Sequence, residues 1–276
     1  MPAPEAESTV NGAQVDESLY TYDVIKYDQM SVKIDTSFPR VREYTLGDDT
    51  LPDQVIVINQ FVINGKLIEP EINYKKVDAS TAPYTLRAKD NKQFIDATIK
   101  LQLKVVGNEL HYDMINITNH YDVVPEKNID DPRKLIDTIQ IPGNFLVSIS
   151  SADEACKFDG ARMSTNTHHE GEIHIDITRT MDDHAADYMY GFVSNNKLAA
   201  AVWSNSQYSY GGGPNDFTRL TVQKYSANNE NFIGIQSSPF IYQCAYNNQV
   251  YDESTFGLPS AKVIITTDVN NDNIID

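Results

Sequence analysis

The chain is 276 residues long and carries 22 Lys and Arg against 39 Asp and Glu, a formal net charge of −17. That balance argues against nucleic acid as a partner, because such affinity comes mainly from Lys and Arg neutralising phosphates. It equally disfavours docking on anionic membranes. A hydrophobic content of 41% with 10% aromatics is too rich for disorder, and no apolar run approaches the ~18 residues that insert into a bilayer.

Taken from the start, residues 1–18 are small or polar, with Pro2, Pro4, Glu5, Glu7, Asp16 and Glu17. They read as a flexible leader without the basic start and apolar stretch of a secretory signal. From residue 19 short apolar alternations take over. Val55 to Ile58 leads into Phe61-Val62-Ile63 and then Asn64-Gly65, a strong two-residue hairpin signal, after which Leu67 and Ile68 open the return strand. Ile99, Leu101, Leu103 and Val105 alternate with Lys100, Gln102 and Lys104; Gly107-Asn108 turns the chain, and Leu110, Tyr112 and Met114 alternate back. One face of this pair is buried and the other wet.

Asp130 to Ile139 is the best helical candidate, with Pro132 near a first turn and Leu135, Ile136 and Ile139 on one face. Strand patterns then resume at Phe145–Ile149, Ile173–Ile177, Tyr190–Val193 and Val263–Ile265. A dozen or so strands with almost no helix between them imply antiparallel sheets packed face to face. No repeat of fixed period supports a propeller or solenoid. Tyr208 to Asn215, with Gly211-Gly212-Gly213-Pro214, reads as a surface loop, since strand-like segments lie on both sides. One large all-β sandwich over residues 19–267 is therefore expected, followed by an acidic tail at 268–276.

Chemistry is thinly marked. Cys156 and Cys244 fit two buried thiols better than one long-range disulfide, and neither has a near partner for a thiolate zinc site. His168 and His169 are adjacent, so on an extended strand they point to opposite sides and cannot converge on one metal. His174, His111, His120 and His184 suggest nothing sharper. A glycosidase needs two carboxyl groups about 5–10 Å apart across one bond, which sequence spacing in a β sandwich cannot reveal. Neither a Gly-x-Ser-x-Gly elbow nor a phosphate-binding glycine loop is present.

Two segments stand out. Trp203, the sole Trp, follows Ala199-Ala200-Ala201-Val202 and precedes Ser204-Asn205-Ser206-Gln207-Tyr208. A Trp after such an apolar run is expected to be largely buried. Exposed, it would instead offer a ring to the apolar face of a sugar, with neighbouring amides and hydroxyls bonding the sugar's own hydroxyls. On that alternative Trp203, Asn205, Gln207 and Tyr208 form a carbohydrate-binding set, with Arg162 and Asn166. At the C-terminal end, Asp268, Asn270, Asp272 and Asp276 occupy positions 1, 3, 5 and 9 of a calcium loop. Asn273 stands where glycine makes the turn, and the position-12 acid is missing. The loop is expected to be interrupted, as in a piece cut from a longer protein.

Certain stretches resemble the region ahead of the catalytic barrel in endo-α-N-acetylgalactosaminidases of glycoside hydrolase family 101. They are Phe158 to His168, Tyr190 to Ser194, Val202 to Gln207, Val250 to Glu253, and Leu258 to Val263 with the Asp/Asn-rich tail. The likeness runs from Ser31 to Asp276. It implies a galactose-mutarotase-like β-supersandwich in a secreted bacterial glycosidase that releases Gal-β1,3-GalNAc from Ser or Thr. The partner it implies is a (β/α)₈ barrel carrying the catalytic carboxylates. No such βα alternation occurs here, so the resemblance places no catalytic residue in this chain. An independent carbohydrate-binding module is the alternative. An aldose 1-epimerase is a weaker one, because His168-His169 run into Glu170-Gly171 instead of that family's His-Pro-Tyr-type motif.

Overall fold

The computed structural model describes residues 21–51, 60–124, 134–141, 145–150, 152, 156–162, 171–176, 186–188, 190–206, 208–209, 217–227 and 230–269. Apart from one short helix, every regular element among them is a strand, and every ladder is antiparallel. The expected all-β architecture is what forms.

The backbone of the fold is a nine-stranded sheet. From edge to edge its strands are Gly171–Asp176, Lys157–Arg162, Tyr190–Ser194, Ala199–Ser204, Ser260–Thr266, Glu109–Asn119, Ile95–Val106, Thr81–Asp90 and Glu71–Tyr74. Period-two alternation decides which face is which. Ile95, Ala97, Ile99, Leu101, Leu103 and Val105 are buried, while Lys100, Lys104 and Val106 between them are exposed. The Gly107-Asn108 turn then returns the chain, with Gly107 at φ 60° as a two-residue hairpin of this type requires. Asn64 and Gly65 both take positive φ, 53° and 69°, so that hairpin also forms as the sequence indicates, between Phe61–Ile63 and Lys66–Ile68.

Two of the three described four-stranded sheets supply most of the packing against this large sheet. The first is a meander of Tyr22–Tyr27, Met30–Asp35, Val41–Leu46 and Asp49–Leu51; the second is ordered Val147–Ser150, Glu230–Ser237, Leu220–Ala227, Ala186–Tyr188. Their buried side chains merge with those of the large sheet into one core, from Ile25 and Ile34 through Leu101 and Tyr112 to Ile233 and Ile265. Buried tyrosines fasten the layers: Tyr44 donates to the Leu146 carbonyl at 2.7 Å, Tyr84 to the Asp35 carbonyl at 2.7 Å, and Tyr112 to the Pro39 carbonyl. Burial pushes the Tyr44 and Tyr112 hydroxyls well above their usual pKa, so they remain donors. The loop that Tyr84 and Tyr112 grip holds a fully buried ion pair, Arg40 to Asp35, whose carboxylate also accepts from the Ser37 amide (2.8 Å) and hydroxyl (2.7 Å).

The helix expected over Asp130–Ile139 does not form in its described part. Lys134 has φ 55°, and Thr138–Ile139 is a strand paired with Phe240–Ile241 and Ile63. Its apolar residues are buried all the same, Leu135 at 6%, Ile136 at 1% and Ile139 at 0% exposure. Side-chain amides replace the helical bonds: Gln243 Oε1 accepts from the Ile136 amide, and Asn64 Nδ2 donates to the Leu135 carbonyl. Asn119 Nδ2 likewise donates to the Lys134 carbonyl. The one described helix is a single turn, Glu253–Phe256, capped by the Asp252 carboxylate. Cys156 is buried and Cys244 half-buried, and they are not bridged to each other. No helix among the described residues is long and apolar enough to cross a membrane.

Candidate functional site

Trp203 is exposed, with 37% of its surface open. This corrects the expectation of a buried ring, and the register explains the difference. In the Ala199–Ser204 strand, Ala200, Val202 and Ser204 point inward, opposite Ile265, Val263 and Ala261. Ala199, Ala201 and Trp203 face outward. The two outward alanines are buried in a small second cluster with Phe192 and Ile264, so the apolar run is covered on both faces. Trp203 comes one step beyond that cover.

To one side of it the outer face of the large sheet carries polar groups. Trp203 is directly opposite Lys262, Lys262 opposite His111, and His111 opposite Lys104. These four side chains stand abreast across four strands, a span of roughly 15 Å at the usual interstrand spacing. One row over, Glu109 Oε2 lies 2.8 Å from His111 Nε2 and 3.5 Å from Lys262 Nζ. On the other side Ser260 Oγ donates to Asp113 Oδ1 at 2.5 Å. None of Lys262, His111, Lys104, Glu109 or Asp113 is marked by a motif; only the cross-strand register assembles them.

Asn205 plays a different part from that expected of it. Its Nδ2 donates to the Leu258 carbonyl (2.8 Å) and its Oδ1 accepts from the Ser260 amide (2.9 Å). This clamp fixes the entry of the neighbouring strand, leaving one donor hydrogen and one lone pair for any ligand. Ser204 and Ser206 are buried, not presented to solvent. Ser237 Oγ lies 2.8 Å from Ser204 Oγ and 3.0 Å from Ser206 Oγ, Ser206 Oγ donates to the Ser238 carbonyl at 2.6 Å, and Thr221 Oγ1 meets Ser238 Oγ at 3.1 Å. This hydroxyl network ties the end of the Trp203 strand to the second four-stranded sheet, holding the ring's backbone from behind.

Arg162 and Tyr208 belong to strands, Lys157–Arg162 and Tyr208–Ser209, but their side chains lie outside the described residues, as do Asn166 and Gln207 entirely. Of the calcium set only Asp268 is described; Asn270, Asp272 and Asp276 fall outside. Among the described residues no cluster of His, Cys, Asp and Glu is arranged to hold a metal ion.

The chain is 23% identical over 259 residues to a protein of Renibacterium salmoninarum named "Putative endo-alpha-N-acetylgalactosaminidase"; the match takes in 90% of this chain and spans 16% of that protein's length. Among solved structures it is similar to a galactose mutarotase related enzyme from Lactobacillus acidophilus (TM-score 0.49, 9% identity, 90% of this chain and 98% of that one). It is also similar to a GalM/aldose epimerase homologue from C. elegans (TM-score 0.44, 8% identity, 90% and 99%). A third is the GH36 alpha-galactosidase AgaB from Geobacillus stearothermophilus (TM-score 0.43, 6% identity, 90% and 41%). The model of the galactose mutarotase-like fold domain matches residues 25–276, and the chain belongs to that family.

Proposed function

We propose that this chain is a non-catalytic β-supersandwich domain of a secreted bacterial endo-α-N-acetylgalactosaminidase of glycoside hydrolase family 101. In this role it supports a catalytic barrel and contacts carbohydrate through the outer face around Trp203. The observation that carries the reading is the match over nine-tenths of this chain to one-sixth of a protein named for that activity. Hydrolysis then belongs to another part of the parent protein. The exposed ring beside cross-strand polar side chains supports the glycan contact, because an aromatic face covers apolar sugar C–H groups while neighbours bond the hydroxyls.

The paired His111 and Glu109 do not favour the epimerase alternative. That chemistry needs an acid and a base on separate atoms of one sugar, whereas here the two groups bond each other at 2.8 Å. The test has two arms. Calorimetric titration with Gal-β1,3-GalNAc should give binding that Trp203→Ala weakens roughly tenfold or more, and incubation with a core-1 glycopeptide should release no disaccharide. Release by this chain alone would refute the non-catalytic role. Absence of heat in the titration would refute the glycan contact.

A further inference from the structure

We infer that the Trp203 face is built for an acidic saccharide, one whose sugar carries a carboxylate or sulfate. The inference rests on the carbohydrate-contact reading above and adds a substrate class to it. Its starting point is a contrast in charge. The whole chain carries −17, a field that repels anions from most of its surface. On the outer face of the large sheet, however, the rows nearest Trp203 set Lys262, Lys104 and Lys100 against the carboxylates of Glu109 and Asp113, with His111 between them, while Asp96 farther along the face is paired with Arg87 and Lys89.

Both carboxylates are already engaged from within. Glu109 Oε2 faces His111 Nε2 and Lys262 Nζ, and Asp113 Oδ1 accepts from Ser260. Lys100 and Lys104, by contrast, are exposed and make no ion pair with a described residue. The lysine nearest the ring is also the best placed. Lys262 is the direct cross-strand neighbour of Trp203 and its ammonium leans to Glu109 on the strand beyond, so a pyranose lying on the indole reaches that ammonium with a substituent that extends across the strand spacing. Glu109 at 3.5 Å restrains Lys262 without burying it, since 37% of its side chain remains open. An ammonium so positioned gives a charged hydrogen bond to a carboxylate or sulfate oxygen, stronger than any it gives to a neutral hydroxyl.

The experiment compares three ligands that share one core: Gal-β1,3-GalNAc, its 3′-sialyl derivative and its 3′-sulfate. Each is titrated into the intact chain at low and at physiological salt. The acidic forms are expected to bind roughly tenfold more tightly than the neutral one at low salt, with the margin narrowing as salt rises. Lys262→Gln should abolish that margin, so that the acidic and neutral forms bind alike; Lys104→Gln should reduce it. Both variants alter open side chains, and unchanged thermal unfolding will show that they fold. Preference for the sialyl form alone, or for both acidic forms, supports the inference and separates carboxylate from general anion recognition. Equal affinity for all three ligands overturns it while leaving the carbohydrate contact standing. No binding by any of them overturns both.

Discussion

Replacing Ser237 by alanine removes one oxygen atom from the buried network behind Trp203. Ser237 is 1% exposed, and its hydroxyl lies 2.8 Å from Ser204 Oγ, 3.0 Å from Ser206 Oγ and 3.2 Å from the Ser238 carbonyl. Ser206 keeps its bond to the Ser238 carbonyl, and Ser204 still accepts from the Ser206 amide at 3.1 Å. The Ser204 hydroxyl proton, however, loses its described acceptor inside the core. One stranded buried donor costs about 1–3 kcal/mol, and each lost hydrogen bond about 1 kcal/mol net. A destabilisation of about 2–3 kcal/mol is therefore expected from urea unfolding. The chain has a single Trp, so acrylamide quenching of its fluorescence reads the same variant at the site. Quenching should become easier as the Trp203 strand loosens from the second sheet. A loss below about 0.5 kcal/mol with unchanged quenching would refute the idea that these hydroxyls brace the ring.

Two further outcomes follow from buried and partly buried charges. Asp35→Ala leaves the Arg40 guanidinium in the core without its carboxylate and should cost about 3–5 kcal/mol; a cost under about 1 kcal/mol, again by urea unfolding, contradicts the pair's structural role. Burial acts to raise the pKa of the Asp23 carboxyl, but hydrogen bonds from Lys76, Tyr74 and the Val24 amide outweigh it and hold the group below its usual value. The folded state therefore binds this proton less readily than the unfolded chain. Its contribution is complete above the usual carboxylate pKa of about 4 and is lost as pH falls through the lowered value. Stability measured between pH 5 and pH 2 should decline less steeply in Asp23→Asn than in the wild type, and identical slopes would reject the assignment.

Much of the fold was legible because its alternation is clean. Ile99 to Val105 and Leu110 to Met114 sit on one face of their strands as spacing requires, and the Asn64-Gly65 and Gly107-Asn108 turns carry residues that accept positive φ. The stretch from Leu135 to Ile139 misled because three buried apolar residues fit a helical face equally well. What decides the matter is distant in sequence: Gln243, Asn64 and Asn119 supply the hydrogen bonds that a helix would have made for itself. The helix that does form had its signals in Asp252 and Gly257, a cap and a stop too close together to register as an element. At the candidate site, sequence singled out Trp203 but misplaced it, since nothing local says where the cover of Phe192 and Ile264 ends. The basic row beside it was invisible for a stronger reason. Lys104, His111, Lys262 and Trp203 become neighbours only through three separate strand pairings.

Because Trp203 is the sole indole in the chain, titrating the protein with Gal-β1,3-GalNAc while following its fluorescence observes the proposed contact at the ring itself. Stacking should produce a saturable change in emission whose midpoint agrees with calorimetry, and Trp203→Ala should weaken binding by roughly tenfold or more. Flat emission and no heat up to tens of millimolar ligand, in a chain shown to be folded, would contradict the account.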